Sequence, residues 1–242
     1  MARNNKSHKE LFARAVNSIQ KCFSKIIITT NYKIEEKSIG WNSYKSGIYS
    51  GWVYAKEYQE LVDNRQYSFL ISDGSFFQFY YEWKDELVKI KLAYYPVPVK
   101  LNNPSLELLE AANDSGIEML EQLYFDSEDW RGKGFDVVNT SSIRIDFDPE
   151  QSSHSKCHMQ YGSINEIRMH SEVLVNPFTF FCWIMGQSGP DKFTELLELR
   201  DVKSEVAYHQ KNAPNCEKAR DSIYLSQVNV GNGFLSKIPF GR

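Results

Sequence analysis

The chain has 242 residues, 42% hydrophobic and 14% aromatic, with a formal net charge of −3. That is enough apolar material for a sizeable core in one domain, and it excludes an intrinsically disordered chain. The near-neutral balance supplies no global basic field, so any contact with nucleic acid has to come from a local patch.

At the amino terminus, MARNNKSHKE is basic but is followed by no apolar segment, so no signal peptide is expected. Ser7-His8-Lys9-Glu10 fits a capping box ahead of Leu11, Ala15, Ile19, Phe23 and Ile26, which recur at helical spacing. An amphipathic helix is expected there. Residues 31–66 are rich in aromatics (Trp41, Tyr44, Tyr49, Trp52, Tyr54) and broken by Gly40, Gly47 and Gly51, which suits short strands and turns. Clustered aromatics of this kind serve a core more often than a base-stacking platform.

From Tyr67 to Val99 the pattern is that of an antiparallel meander. YSFLIS meets Asp73-Gly74, a hairpin marker, and Phe77, Phe79, Tyr81 and Trp83 then alternate with Gln78 and Glu82. Val88, Ile90 and Leu92 alternate with Lys89 and Lys91 in the next run. Pro104 opens a helix over SLELLEAAND, and GIEMLEQLYF forms a second. The polar run at 126–134 reads as a joint inside a single domain spanning 1–242.

Residues 141–171, SSIRIDFDPEQSSHSKCHMQYGSINEIRMHS, hold three of the chain's five histidines. Alternation divides them into three strands, each with one apolar and one polar face. Ile143, Ile145 and Phe147 oppose Arg144, Asp146 and Asp148. Cys157, Met159 and Tyr161 oppose Lys156, His158 and Gln160. Ile167 and Met169 oppose Glu166, Arg168 and His170. A short Ser163-Ile164-Asn165 loop sets His158 beside His170 and Gln160 beside Arg168. Keeping the apolar faces together then sets Asp146 opposite His158 and Arg144 opposite Gln160.

Two rows follow, Asp146–His158–His170 and Arg144–Gln160–Arg168. A carboxylate beside a histidine is how general acids and bases are arranged, which marks His158, His170 and Asp146 as candidate catalytic residues. Two arginine forks around a glutamine suit a phosphate, which marks Arg144, Gln160 and Arg168 as candidate ligand-binding residues. The bland alternative is the solvated face of an antiparallel sheet, where charged residues alternate for solubility alone. A two-His, one-carboxylate metal set is disfavoured by the adjacent arginines, and no HExxH or HxH signature exists. No GxSxG, Walker lysine or GxGxxG occurs, so no cofactor is implied.

Asn176-Pro177 starts an apolar helix, FTFFCWIM, and Gly189-Pro190-Asp191 starts an amphipathic one. The window from Phe178 to Met185 is far shorter than the roughly 20 residues of a membrane span, so no membrane contact is expected. Cys22, Cys157, Cys182 and Cys216 form no CxxC pair and are expected as buried free thiols.

The succession RIDFDP, H-x3-HxQ, RMH and NPFTFFCWIM resembles an uncharacterised prokaryotic family, domain-of-unknown-function family 2290, mainly over residues 142–185. Arg144, Asp146, His158, Arg168 and Pro177 carry the resemblance. It implies a bacterial cytoplasmic protein and no assigned activity; by analogy, such proteins occur near phage-defence or mobile-element genes.

The fold expected is α+β, an antiparallel sheet built from the two meanders and packed by the N-terminal and C-terminal helices. The first functional expectation is a polar sheet face that binds a phosphate-bearing ligand, most plausibly nucleic acid or a nucleotide, with metal-independent acid–base cleavage. The second is a non-enzymatic subunit that docks a partner protein through the same face or through residues 41–54.

Overall fold

The two alternating runs join edge to edge into one antiparallel sheet. A computed structural model of the protein describes residues 2–42, 44, 52–84, 87–102, 110, 134–150, 152, 156–161, 168–170, 175–190 and 192–218. Its strands are β1 (Ile27–Thr30), β2 (Tyr32–Ile34), β3 (Ser38–Trp41), β4 (Phe69–Ile71), β5 (Phe76–Trp83), β6 (Leu87–Tyr95), β7 (Val99–Leu101), β8 (Phe135–Val137), β9 (Ile143–Phe147), β10 (Cys157–Tyr161) and β11 (Arg168–His170). The main sheet runs β1-β4-β5-β6-β9-β10-β11, with β3 also on β5 and β2 on β3, while β7 and β8 pair separately. The helices among the described residues are α1 (Ala2–Cys22), α2 (Tyr54–Asp63), α3 (Pro177–Ser188), α4 (Lys192–Leu197) and α5 (Arg200–Lys218). The fold is α+β.

Period-2 alternation sends Phe77, Phe79, Tyr81, Ile90, Leu92, Ile145, Phe147, Cys157 and Met159 to one face, where all are buried. Residues of α1, α3, α4 and α5 cover that face in a single apolar cluster. Aromatic rings dominate it. Phe77 lies 4.8 Å from Phe181 and 4.9 Å from Tyr94, and Phe12 stacks on Tyr81 at 4.5 Å. Cys22, Cys157 and Cys182 are buried free thiols. No described helix is long and apolar enough to cross a membrane.

Local chemistry explains most of the boundaries. Gly74 takes a φ of 89° in the β4–β5 turn, and Asp73 Oδ1 accepts from the Ser75 backbone N–H at 2.9 Å and its hydroxyl at 2.6 Å. Asn176 Oδ1 caps α3 by accepting from Phe178 N–H at 2.8 Å, with Pro177 in the first turn.

Three expectations need correction. α1 begins at Ala2, so position 7 lies inside the helix rather than at its start; no Gly or Pro precedes Ser7 to stop the helix earlier. Residues 54–63 are a helix rather than strand and turn. Tyr54, Tyr58 and Leu61, at i, i+4 and i+7, are its buried stripe. The single amphipathic helix expected after Pro190 is two, α4 and α5. The helices expected after Pro104 and the joint at 126–134 lie, apart from Glu110 and Gly134, outside the described residues.

One buried titratable group makes the docking of α5 sensitive to pH. His209 is 2% exposed and stacks on Phe178 at 4.3 Å. Because Asn176 Oδ1 caps α3, its amide nitrogen is the atom 3.4 Å from His209 Nδ1 and donates to it. A neutral imidazole fits there, and burial pushes the His209 pKa down to about 4, the Glu205 carboxylate opposing and Arg14 reinforcing the shift. The unfolded chain binds this proton near pH 6.5 and the folded chain does not. His209 therefore contributes stability above that pH, and the contribution fades as pH falls towards 4. The expected loss is on the order of 2–3 kcal/mol across that window. His209→Gln should flatten that part of a chemical-denaturation profile measured against pH; an unchanged slope would contradict it.

Candidate functional site

Both rows expected from the sequence exist in register. His158 pairs with Asp146 on one side and His170 on the other, and Gln160 pairs with Arg144 and Arg168. The β6–β9 pairing extends them: Lys91 lies opposite Asp146 and Ala93 opposite Arg144, while Tyr80 and Gln78 of β5 lie opposite Lys91 and Ala93. One row thus reads Tyr80–Lys91–Asp146–His158–His170, and its neighbour reads Gln78–Ala93–Arg144–Gln160–Arg168.

This face is not the wet side of a sheet. His158 is 5% and Gln160 4% exposed, and the side chains of Arg144 and Asp146 are each 15% exposed. Part of the cover is α2, whose Tyr54, Tyr58 and Leu61 pack on Phe76, Ala93 and Tyr95. Tyr54 donates to the Pro96 carbonyl at 2.5 Å and Tyr58 to that of Gly74, which ties the helix over one end of the face. Further along, the Tyr44 ring stacks on Tyr80 at 4.0 Å and 7°.

Inside, Arg144 is held by two partners. Its Nε donates to Asp146 Oδ2 at 2.7 Å and one terminal nitrogen donates to Gln160 Oε1 at 3.0 Å. The remaining edge of the guanidinium makes no hydrogen bond among the described residues. Asp146 Oδ1 is buried and also has no hydrogen-bond partner there. His158 Nε2 stands 3.8 Å from Asp146 Oδ2, within ion-pair reach when protonated but beyond a direct hydrogen bond.

Several members were not foreseen. Burial lowers the pKa of Lys91, with Asp146 opposing and Arg144 reinforcing the shift. Glu57 of α2 is 1% exposed and accepts from Tyr95 at 3.3 Å. Tyr44 has its pKa pushed up to about 12, by burial first and then by the Asp146 charge. Lys91 was visible as a polar-face residue, and Glu57 would have been found from the Tyr54–Tyr58–Leu61 stripe that its helix buries. The backbones of Arg168 and His170 occupy the expected register positions; their side chains, and His154, lie outside the described residues. Among the described residues no three His, Cys, Asp or Glu side chains gather as a cation would require.

Fold and site together define an α+β protein with a largely buried polar cluster on one face of an antiparallel sheet. The chain belongs to the family described as "Uncharacterized conserved protein (DUF2290)", whose model matches residues 20–227. The match extends well beyond residues 142–185, where the recognisable motifs concentrate. Neither the curated proteins nor the solved structures contain a match to this chain.

Proposed function

We propose that the enclosed face binds a phosphate-bearing ligand, single-stranded nucleic acid above all. The observation that carries this reading is the state of Arg144. A carboxylate and an amide fix its guanidinium on one edge and leave the other without a partner among the described residues, which is how an arginine is prepared for an oxyanion. Lys91 adds a second partly buried cation in the adjoining row, and Arg168 occupies the register position on the far side of Gln160. The burial of His158 and Gln160 favours a single strand or a strand end over a duplex, which needs a broad open surface.

In the same reading His158 and His170 carry acid–base cleavage without a metal. One imidazole takes the proton of the attacking hydroxyl, and the other donates a proton to the departing oxygen. Asp146 Oδ2, 3.8 Å from His158 Nε2, is the anion that would answer the imidazolium formed during the step. A defence or mobile-element setting accords with such an activity. Docking of a partner protein draws less support, because the exposed large apolar residues Ile28, Ile34, Val138 and Leu199 are scattered through the chain.

Fluorescence anisotropy with labelled single strands tests the binding. Wild type should bind, and Arg144→Ala with Arg168→Ala should weaken binding at least a hundredfold while far-UV circular dichroism stays unchanged. His158→Ala should retain binding and lose cleavage. Wild type that binds neither RNA, DNA nor a nucleotide would overturn the reading.

A further inference from the structure

A pocket of about 310 Å³ lies against the β2–β3 hairpin and β5, lined by Trp41, Tyr44, Tyr80, Lys33, Glu35 and Ser38 among others. That volume is at the small end of ligand sites and suits a compact molecule. Arg144, Lys91 and Gln160 are not among the described residues that line it, so it is separate from the phosphate face. The Tyr44 and Tyr80 rings are parallel, 4.0 Å apart, and Trp41 stands at 72° to both, so the aromatic walls meet in a corner. A Cβ at residue 40 would come within 3.1 Å of the Tyr80 ring, so glycine lets that ring approach β3.

Two of these rings are polarised by their own hydrogen bonds. Tyr80 Oη donates to Glu82 Oε2 at 2.9 Å, and Trp41 Nε1 donates to Gln66 Oε1 at 2.9 Å. A ring whose polar hydrogen is shared with an acceptor carries more electron density on its faces, where a cation is attracted. Carboxylates dominate the surroundings. Burial pushes the Tyr80 phenol up, and Glu82 and Glu35 push it further. Tyr44 is raised to about 12 by burial first, then by Asp146 and Glu82, with Arg144 opposing. Lys33, the one cation among the described lining residues, is already engaged: its Nζ lies 2.5 Å from Glu35 Oε1. Ser38 Oγ donates to the other oxygen of that carboxylate at 3.2 Å.

We propose that this pocket binds a small quaternary-ammonium cation of the choline type, its methyl groups against the tyrosine and tryptophan walls and its charge answered by Glu35. A fully methylated nitrogen has no N–H to donate, so ring faces and a nearby carboxylate are enough to hold it. A primary ammonium carries three donors and needs acceptors that ring faces do not supply. The inference goes beyond the phosphate reading and does not depend on it.

Isothermal titration calorimetry of the full chain compares choline with its uncharged isostere, in which carbon replaces the nitrogen. Choline should bind roughly tenfold tighter, the order of a partly desolvated cation–π contact. Lys33 and Glu35 are 58% and 50% exposed, so changes there leave the fold intact. Glu35→Gln should weaken choline binding about threefold, and Lys33→Met should strengthen it about twofold, the scale of exposed charge interactions. Equal affinity for choline and the isostere would make the pocket merely apolar and overturn the proposal. Opposite signs in the two variants, as an anionic ligand would give, would overturn it too, and so would the absence of choline binding to wild type. A phosphate face that binds no strand would leave it standing.

Discussion

Replacing Asp146 with alanine should destabilise the protein by about 3 kcal/mol, the lower part of the range for breaking a buried ion pair. Asp146 is the anion that answers Arg144 at 2.7 Å and lies opposite Lys91 on β6. Without it the Arg144 guanidinium, 15% exposed, keeps only the neutral Gln160 as a hydrogen-bond partner among the described residues. A methionine at position 144 removes the charge and retains the apolar stem. The double variant Asp146→Ala, Arg144→Met should therefore recover at least half of the loss, as double-mutant cycles on paired charges do. Urea denaturation of the two single variants and the double variant reads this directly. Additive losses would mean that the two side chains do not depend on each other.

A loss of about 3–5 kcal/mol is expected for Phe77→Ala, the range for emptying a core phenylalanine site. Phe77 is fully buried near the start of β5, 4.9 Å from Tyr94 and 4.8 Å from Phe181, with Phe180 edge-on at 6.1 Å. Its removal separates β5 from α3, and rigid rings on several sides limit how far the hole can collapse. Phe77→Leu, which restores much of the volume, should lose less than half as much. Ile28→Ala, at a site 62% exposed, should stay within about 0.5 kcal/mol of wild type. A Phe77→Ala protein with an unchanged urea midpoint would remove this ring from the centre of the core.

Much of the site was legible because strand alternation has a period of two. A one-residue slip in β9 or β10 would have carried Ile145 or Met159 off the apolar face, so alternation excluded every odd shift of register. The same logic located His158 between Asp146 and His170. What surrounds that face was less legible, for three physical reasons. The β6–β9 contact that brings Lys91 to Asp146 is non-local, and alternation says nothing about which edges meet. The helix from Tyr54 to Asp63 is aromatic at its start, and its glycine-broken approach drew attention away from the i, i+4, i+7 stripe. Polar-out alternation also reads as solvated surface, whereas here Gln160 and His158 are buried and Arg144 is only 15% exposed.

That burial changes what the arginine and histidine rows can do. On an open face Arg144 would be screened and mobile; beneath a cover it is held by Asp146 and Gln160 in one orientation. The most direct test of the phosphate assignment is the salt dependence of single-strand binding, measured for wild type and for Arg144→Ala with Arg168→Ala. The slope of log K against log salt concentration should flatten by roughly 0.7 for each phosphate contact removed, together with the loss of affinity. A wild-type affinity that ignores salt, or a slope identical in the double variant, would contradict a phosphate site on this face.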